Sequence, residues 1–192
     1  MGAIFQSLGR SVAAGAVLVI LMVAALRGGK FDHACGLFFM RWLHVLCGVM
    51  WVGLLWYFNF VQIPSMPKIP DDQKPAVSKV IAPEALFWFR WSALATVVTG
   101  IVLSFMLGYI GLALTLQKSH MAIGIGMWIA LLMAFNVWFI IWPNQKKALG
   151  MVIVEAAQKA AAARLAMLTS RFNTMLSIPM LYCMVAQQNG GL

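Results

Sequence analysis

A chain of 192 residues that is 62% hydrophobic and only 10% charged lacks the polar surface of a water-soluble domain, in which about a quarter of residues are charged. Its formal net charge of +9 would suggest nucleic acid in a soluble protein. Here it points to cations that set topology and touch anionic lipid, with the bilayer as partner and no nucleic acid. The three cysteines, Cys35, Cys47 and Cys183, form no CxxC or CxxCH, which argues against covalent haem and structural zinc. Cys47 and Cys183 fall in apolar runs and read as small packing residues.

A membrane-crossing helix needs about 20 mostly apolar residues. Five stretches meet that need, at about 11–26, 37–61, 86–108, 120–142 and 171–187. The sequence therefore predicts an all-α integral membrane bundle of five transmembrane helices, forming a single domain over 1–192. The first stretch is bounded by Arg10 and Arg27 and has no small-residue cleavage pattern before Lys30, so it reads as a retained helix. The second holds His44. The connection 62–85 contains Pro64, Pro67, Pro70, Pro75 and Pro83 and reads as a polar surface loop. The third carries Ser92, Thr96, Gly100, Ser104 and Gly108 at i+4 spacing, a small-residue stripe that lets helices approach closely. The fourth begins at His120. Residues 144–170 are alanine-rich and read as a helix lying along the interface or extending the fifth span. The fifth stretch carries Asn173, Ser177 and Pro179.

The basic residues predict an orientation. With the N-terminus inside, the inner regions hold Arg10, Lys68, Lys74, Lys79, Arg90, Lys146, Lys147, Lys159, Arg164 and Arg171. The outer regions hold only Arg27, Lys30, Arg41 and Lys118. The excess inside favours a multi-pass protein of a bacterial-type cytoplasmic membrane, N-terminus in and C-terminus out.

Two of the three histidines lie inside or at the edge of apolar runs, and each has a glycine four residues on: His44 with Gly48, His120 with Gly124. A histidine in hydrocarbon is costly and by default functional. Imidazole is a common axial ligand of haem iron, and a glycine at i+4 shares the histidine's face and leaves room for a flat macrocycle. The pattern predicts a haem b held by His44 and His120 as metal ligands. Arg41, one turn before His44, is placed to meet a propionate. The two histidines lie at unequal depths, and the bland alternative is that both bond to backbone or water. His33, beside Asp32, is a reserve ligand or a solvated residue.

A second polar set comprises Asn59, Gln62, Arg90, Asn136, Asn144, Arg171 and Asn173. Polar groups in a membrane need partners, so these tie helices together or line a pocket for a small anion, with Arg90 and Arg171 as anchors. No HExxH, GxSxG or embedded acid pair points to hydrolysis or to proton pumping through a buried carboxylate.

Three segments resemble the membrane domain of the membrane-bound urate oxidases (urate hydroxylases). They are Arg41-Trp-Leu-His44-Val-Leu-Cys-Gly48-Val-Met-Trp51-Val-Gly53 continuing to Tyr57-Phe-Asn59-Phe, then Asn136-Val-Trp138-Phe-Ile-Ile-Trp142-Pro-Asn-Gln-Lys-Lys147, and Ser170-Arg-Phe-Asn173-Thr-Met-Leu-Ser177-Ile-Pro179. That family couples a multi-helix membrane domain to a C-terminal cytochrome c domain and passes substrate electrons toward a respiratory chain. With no CxxCH, the resemblance implies a short form lacking the cytochrome c domain. The rhythm of Leu43-His44-Val45 and Trp51-Val52-Gly53 is also similar to small haem-binding membrane proteins of the protoporphyrinogen oxidase and copper-resistance groups. Together these imply a haem b redox protein that passes electrons on the outer side, to a separate cytochrome. The alternative is a non-catalytic accessory subunit packed against a larger respiratory-type complex. A third possibility is a transporter or sensor built on the Arg and Asn set.

Overall fold

The computed structural model describes residues 2–27 and 32–191; Lys30 and the side chain of Arg27, counted above as outer cations, lie outside the described residues. All regular structure among the described residues is helical. The chain divides into two compact units, Met1–Phe38 and Phe39–Leu192.

The first unit holds a short helical turn, Gly2–Phe5, the helix α1 (Leu8–Arg27) and the start of α2 (His33–Lys68). Asp32 begins α2 by accepting the Cys35 backbone N–H at 2.8 Å, which satisfies one of the helix's free first-turn donors. His33 is exposed on this first turn.

The second unit contains the rest of α2, then α3 (Lys74–Met106), α4 (Ile110–Leu114), α5 (Lys118–Ala148) and α6 (Ala156–Asn189). Helices α1, α2, α3 and α5 are long and apolar enough to cross a membrane. The fifth expected span lies inside α6. At 34 residues α6 is long enough, but its composition is more polar than that of the other four. It carries Ser170, Asn173 and Ser177 on its buried face.

The expected loop at 62–85 is a correction. Helix α2 continues to Lys68 and α3 starts at Lys74, leaving only residues 69–73 between them. The prolines were misread as breakers. Pro75 sits in the first turn of α3, where the missing N–H has no acceptor to lose. Pro64 and Pro67 follow the widened turn at 57–62 and Pro83 the one at 77–81, where the regular ladder of helical bonds is already interrupted. The alanine-rich region after Glu155 is the first half of α6, so it extends the fifth stretch.

Three segments widen to π-helical turns: Tyr57–Gln62 in α2, Val77–Ile81 in α3 and Asn136–Ile141 in α5. Each shows a bond to the fifth residue back, from Ile63, Ala82 and Trp142 N–H to the carbonyls of Phe58, Val77 and Val137. The core beside them is built from Trp51, Leu55, Leu86, Phe89, Met133, Val137, Ile141 and Met180. Phe58 meets Phe89 edge-on at 5.7 Å. Phe60, Phe105 and Phe139 point outward, the arrangement of a bundle whose surface suits hydrocarbon.

Candidate functional site

His44 lies on α2 against α3. Its Nδ1 is 3.0 Å from the Thr96 carbonyl and 3.1 Å from Thr99 Oγ1. A carbonyl only accepts. The Thr99 hydroxyl donates to the Ala95 carbonyl at 2.7 Å, so its oxygen is also an acceptor toward the ring. Nδ1 therefore carries the hydrogen, and Nε2 is left with its lone pair. This is the tautomer that a metal-ligating histidine adopts when a second group fixes the far nitrogen.

Gly100 makes the seat for this ring. A Cβ at position 100 would lie 2.8 Å from His44 Cε1, closer than any side chain tolerates. The small-residue stripe thus has a local use, because it admits the imidazole against the α3 backbone. Ser92, Thr96 and Ser104 are buried along the stripe and bond back to carbonyls of their own helix. Gly108, the last member, lies beyond α3 at φ +76°, where it turns the chain.

One turn from His44, the Arg41 Nε is buried with no hydrogen-bond partner. Arg41 acts electrostatically on Tyr109. Burial pushes the Tyr109 phenol above its ordinary range, and the Arg41 charge partly opposes that rise. Tyr109 in turn stacks on His120, with ring centroids 5.1 Å apart and planes at 28°. His120 Nδ1 is 2.9 Å from Ser119 Oγ. Among the described residues, no hydrogen bond or ring contact joins His44 to His120; each has its own partners.

The two paired glycines have protein neighbours. A Cβ on Gly48 would touch the Thr96 methyl at 3.8 Å, an ordinary contact. A Cβ on Gly124 would collide with the Ala113 carbonyl, so this glycine lets α4 lie against α5. The fit to haem accordingly rests on His44, with its free Nε2, and on Arg41, with its unpartnered Nε. Among the described residues there is no cluster of three or more His, Cys, Asp or Glu side chains.

The second polar set divides. Asn136 donates to Asn173 Oδ1 at 2.8 Å, and Asn173 donates to the Met133 carbonyl at 2.9 Å. Asn59 donates to Ser170 Oγ at 2.8 Å, and Trp56 donates to Ser177 Oγ at 3.0 Å. These bonds tie α2 and α5 to α6. Arg90 behaves differently. Its guanidinium lies 3.3 Å over the Trp142 ring and 5.8 Å from that of Trp138, with Nε buried and unpartnered. Asn144 bonds within its own helix to the Ile140 carbonyl. Gln62 Oε1 is buried without a partner, and Arg171 is exposed. The expected anchors Arg90 and Arg171 share no contact given by the structure. Sequence reasoning missed Thr99 and Tyr109. Thr99 was the more findable, since it neighbours Gly100 on the stripe helix.

Four helices apolar enough to cross a membrane are compatible with a multi-pass membrane protein. A protein-family model described as urate oxidase N-terminal matches residues 117–190, less than half of the chain, and supports a urate-oxidase-related family. The matched stretch takes in Trp142–Lys147 and Ser170–Asn173 and leaves the His44 segment outside. Comparison with curated proteins gives no match, and comparison with solved structures gives none either.

Proposed function

We propose that this chain is a membrane-embedded redox protein, related to the membrane domain of the urate oxidases, that binds haem b through His44. The observation that carries the reading is the His44 imidazole, fixed at Nδ1 by Thr96 and Thr99 and unpartnered at Nε2. When bound, haem would supply one-electron transfer. The chain's own residues do the holding. The α3 backbone orients the ring, Gly100 gives it room, and Arg41 offers a charged donor to a propionate. His120, stacked on Tyr109, is the second ligand in this reading and must turn from Ser119 to serve.

The same reading takes α6 as a fifth span, since its polar residues Asn173, Ser170 and Ser177 are bonded to neighbouring helices. It places the N-terminus in the cytoplasm of a bacterial-type cell and delivers electrons outside to a separate cytochrome. Reporter fusions after α6 and within residues 69–73 should then report opposite sides.

The test is a reduced-minus-oxidised spectrum of protein purified from haem-replete cells. A b-type Soret band that is lost in His44→Ala, weakened in His120→Ala and kept in His33→Ala supports the proposal. A wild-type protein with no Soret band overturns it and favours the accessory-subunit alternative.

A further inference from the structure

A cleft of about 370 Å³ lies where the end of α5 meets the start of α6. Its lining is Asn144 and Lys147 from α5 and Gln158, Ala161, Ala162 and Leu165 from α6. The lining is graded. Lys147 brings a full positive charge, and among the described residues no carboxylate forms a salt bridge with it. Asn144 and Gln158 bring amide donors, of which Asn144 uses one on the Ile140 carbonyl. Ala161 and Ala162 add only short side chains to the lining, and Leu165 is its large apolar member.

The surroundings repeat that grading. From 142 to 165 the chain carries Lys146, Lys147, Lys159 and Arg164 against the single acid Glu155. From Leu165 an outward apolar track runs on along α6 through Leu168, Phe172 and Met175, each at least two-fifths exposed. Those positions follow at three- and four-residue steps and so occupy one helix face. A cationic, amide-rimmed cleft that opens onto an apolar track matches a molecule with an anionic head and a hydrocarbon tail. A small free anion would have no use for the track.

We propose that this cleft binds one anionic phospholipid, with its phosphate at Lys147, Asn144 and Gln158 and an acyl chain along Leu165, Leu168 and Phe172. Basic pockets between membrane helices take phosphate headgroups for the same reason, because an ammonium near the surface attracts an anionic lipid. The site is separate from His44 and needs no haem. It rests on reading α5 and α6 as membrane helices.

The experiment uses the full chain, delipidated in neutral detergent, with bound lipid counted by native mass spectrometry. The probes are phosphatidylglycerol, phosphatidylcholine with the same acyl chains, and glycerol phosphate as the headgroup alone. The expected result is one retained phosphatidylglycerol, little phosphatidylcholine and no glycerol phosphate. Lys147→Gln should lower retention about five-fold, the scale of one cation near a membrane surface. Leu165→Asn should lower it as well, while Lys118→Gln, at the other end of α5, should leave it unchanged. Helical circular dichroism of each variant guards against misfolding. Equal retention of both lipids, retention unaffected by Lys147→Gln, or equal binding of glycerol phosphate would each overturn the proposal. Because the assay reads lipid and not colour, a protein without haem still tests it.

Discussion

Around Asn173, polar groups are matched to one another; around His44, they are not. Asn136 donates to Asn173 and Asn173 to the Met133 carbonyl, with Asn173 fully buried, while a separate bond joins Asn59 to Ser170 and leaves Asn59 Oδ1 buried without a partner. At His44 the ring is anchored on one side only, and the neighbouring Arg41 Nε is buried with nothing to donate to. A buried polar group without a partner costs on the order of 1–3 kcal/mol. Asn136 and Asn173 bond to one another and to a neighbouring carbonyl, so what they supply is stability. At His44 a ring lone pair and a guanidinium donor lie open within one turn of each other, which is what supports the haem proposal.

The sharpest way to break this comparison is Gly124→Ala. Its new Cβ would meet the Ala113 carbonyl, a backbone atom that cannot rotate away. We expect a loss of about 3 kcal/mol, the upper end of overpacking costs, read as lower detergent or thermal stability. If the variant is as stable as the parent but loses a haem spectrum, Gly124 is a cofactor cradle after all.

Asn136→Leu probes the matched region. It removes one interhelical bond and should lower stability by about 1 kcal/mol in a detergent unfolding series. Unchanged stability with a lost oxidase activity would turn the amide chain from a structural tie into a substrate pocket.

Gly100→Ala probes the open region with a smaller expected cost, about 1 kcal/mol, because the crowded atom belongs to a side chain. Its main effect should be spectroscopic, as the His44 ring is pushed from its seat. A stable Gly100→Ala protein with an unaltered b-type spectrum would remove His44 from the ligand set.

The smallest effect is expected at Tyr109. Burial raises its phenol above the unfolded value of about 10, and Arg41 works against that rise. The folded state therefore holds its proton more tightly than the unfolded chain. This contribution is fully present below about pH 10 and is lost as pH rises through the folded value. Tyr109→Phe should flatten that alkaline limb in unfolding experiments carried out on either side of pH 10. An unchanged limb would remove Tyr109 from the Arg41 and His120 cluster.

Much of the helical layout was legible in the sequence because length and apolarity alone determine it. The runs around His44, Thr96 and Trp128 all fall in long helices at about the expected positions. The loop at 62–85 was misread because proline's effect depends on its place within a turn, which composition does not record. Helix α6 is longer than the stretch expected at 171–187, because the alanine-rich run before it joins the same helix. Its polar residues Asn173 and Ser177 are bonded to partners 37 and 121 positions away, which no local reading of the sequence displays. At the candidate site, His44 and Arg41 could be singled out from spacing. The partners that give His44 its tautomer could not, because they belong to a helix 52 residues further on. Likewise the glycine that matters most to the ring is Gly100, across the helix pair, and not Gly48 on the histidine's own face.

The π-helical turns have a bearing on how this chain's faces should be counted. Each widened turn amounts to one extra residue slipped into an α-helix, and one residue is about 100° of rotation. The stretch before Tyr57 and the stretch after Gln62 are therefore out of phase, as are those flanking Asn136–Ile141. A helical wheel drawn through either helix in a single sweep assigns the far half to the wrong side. Removing one residue within 57–62 would take up that extra residue, restore the regular winding and leave everything beyond Gln62 on the side it already occupies, whereas the same deletion elsewhere in the helix would swing one half about 100° around the axis.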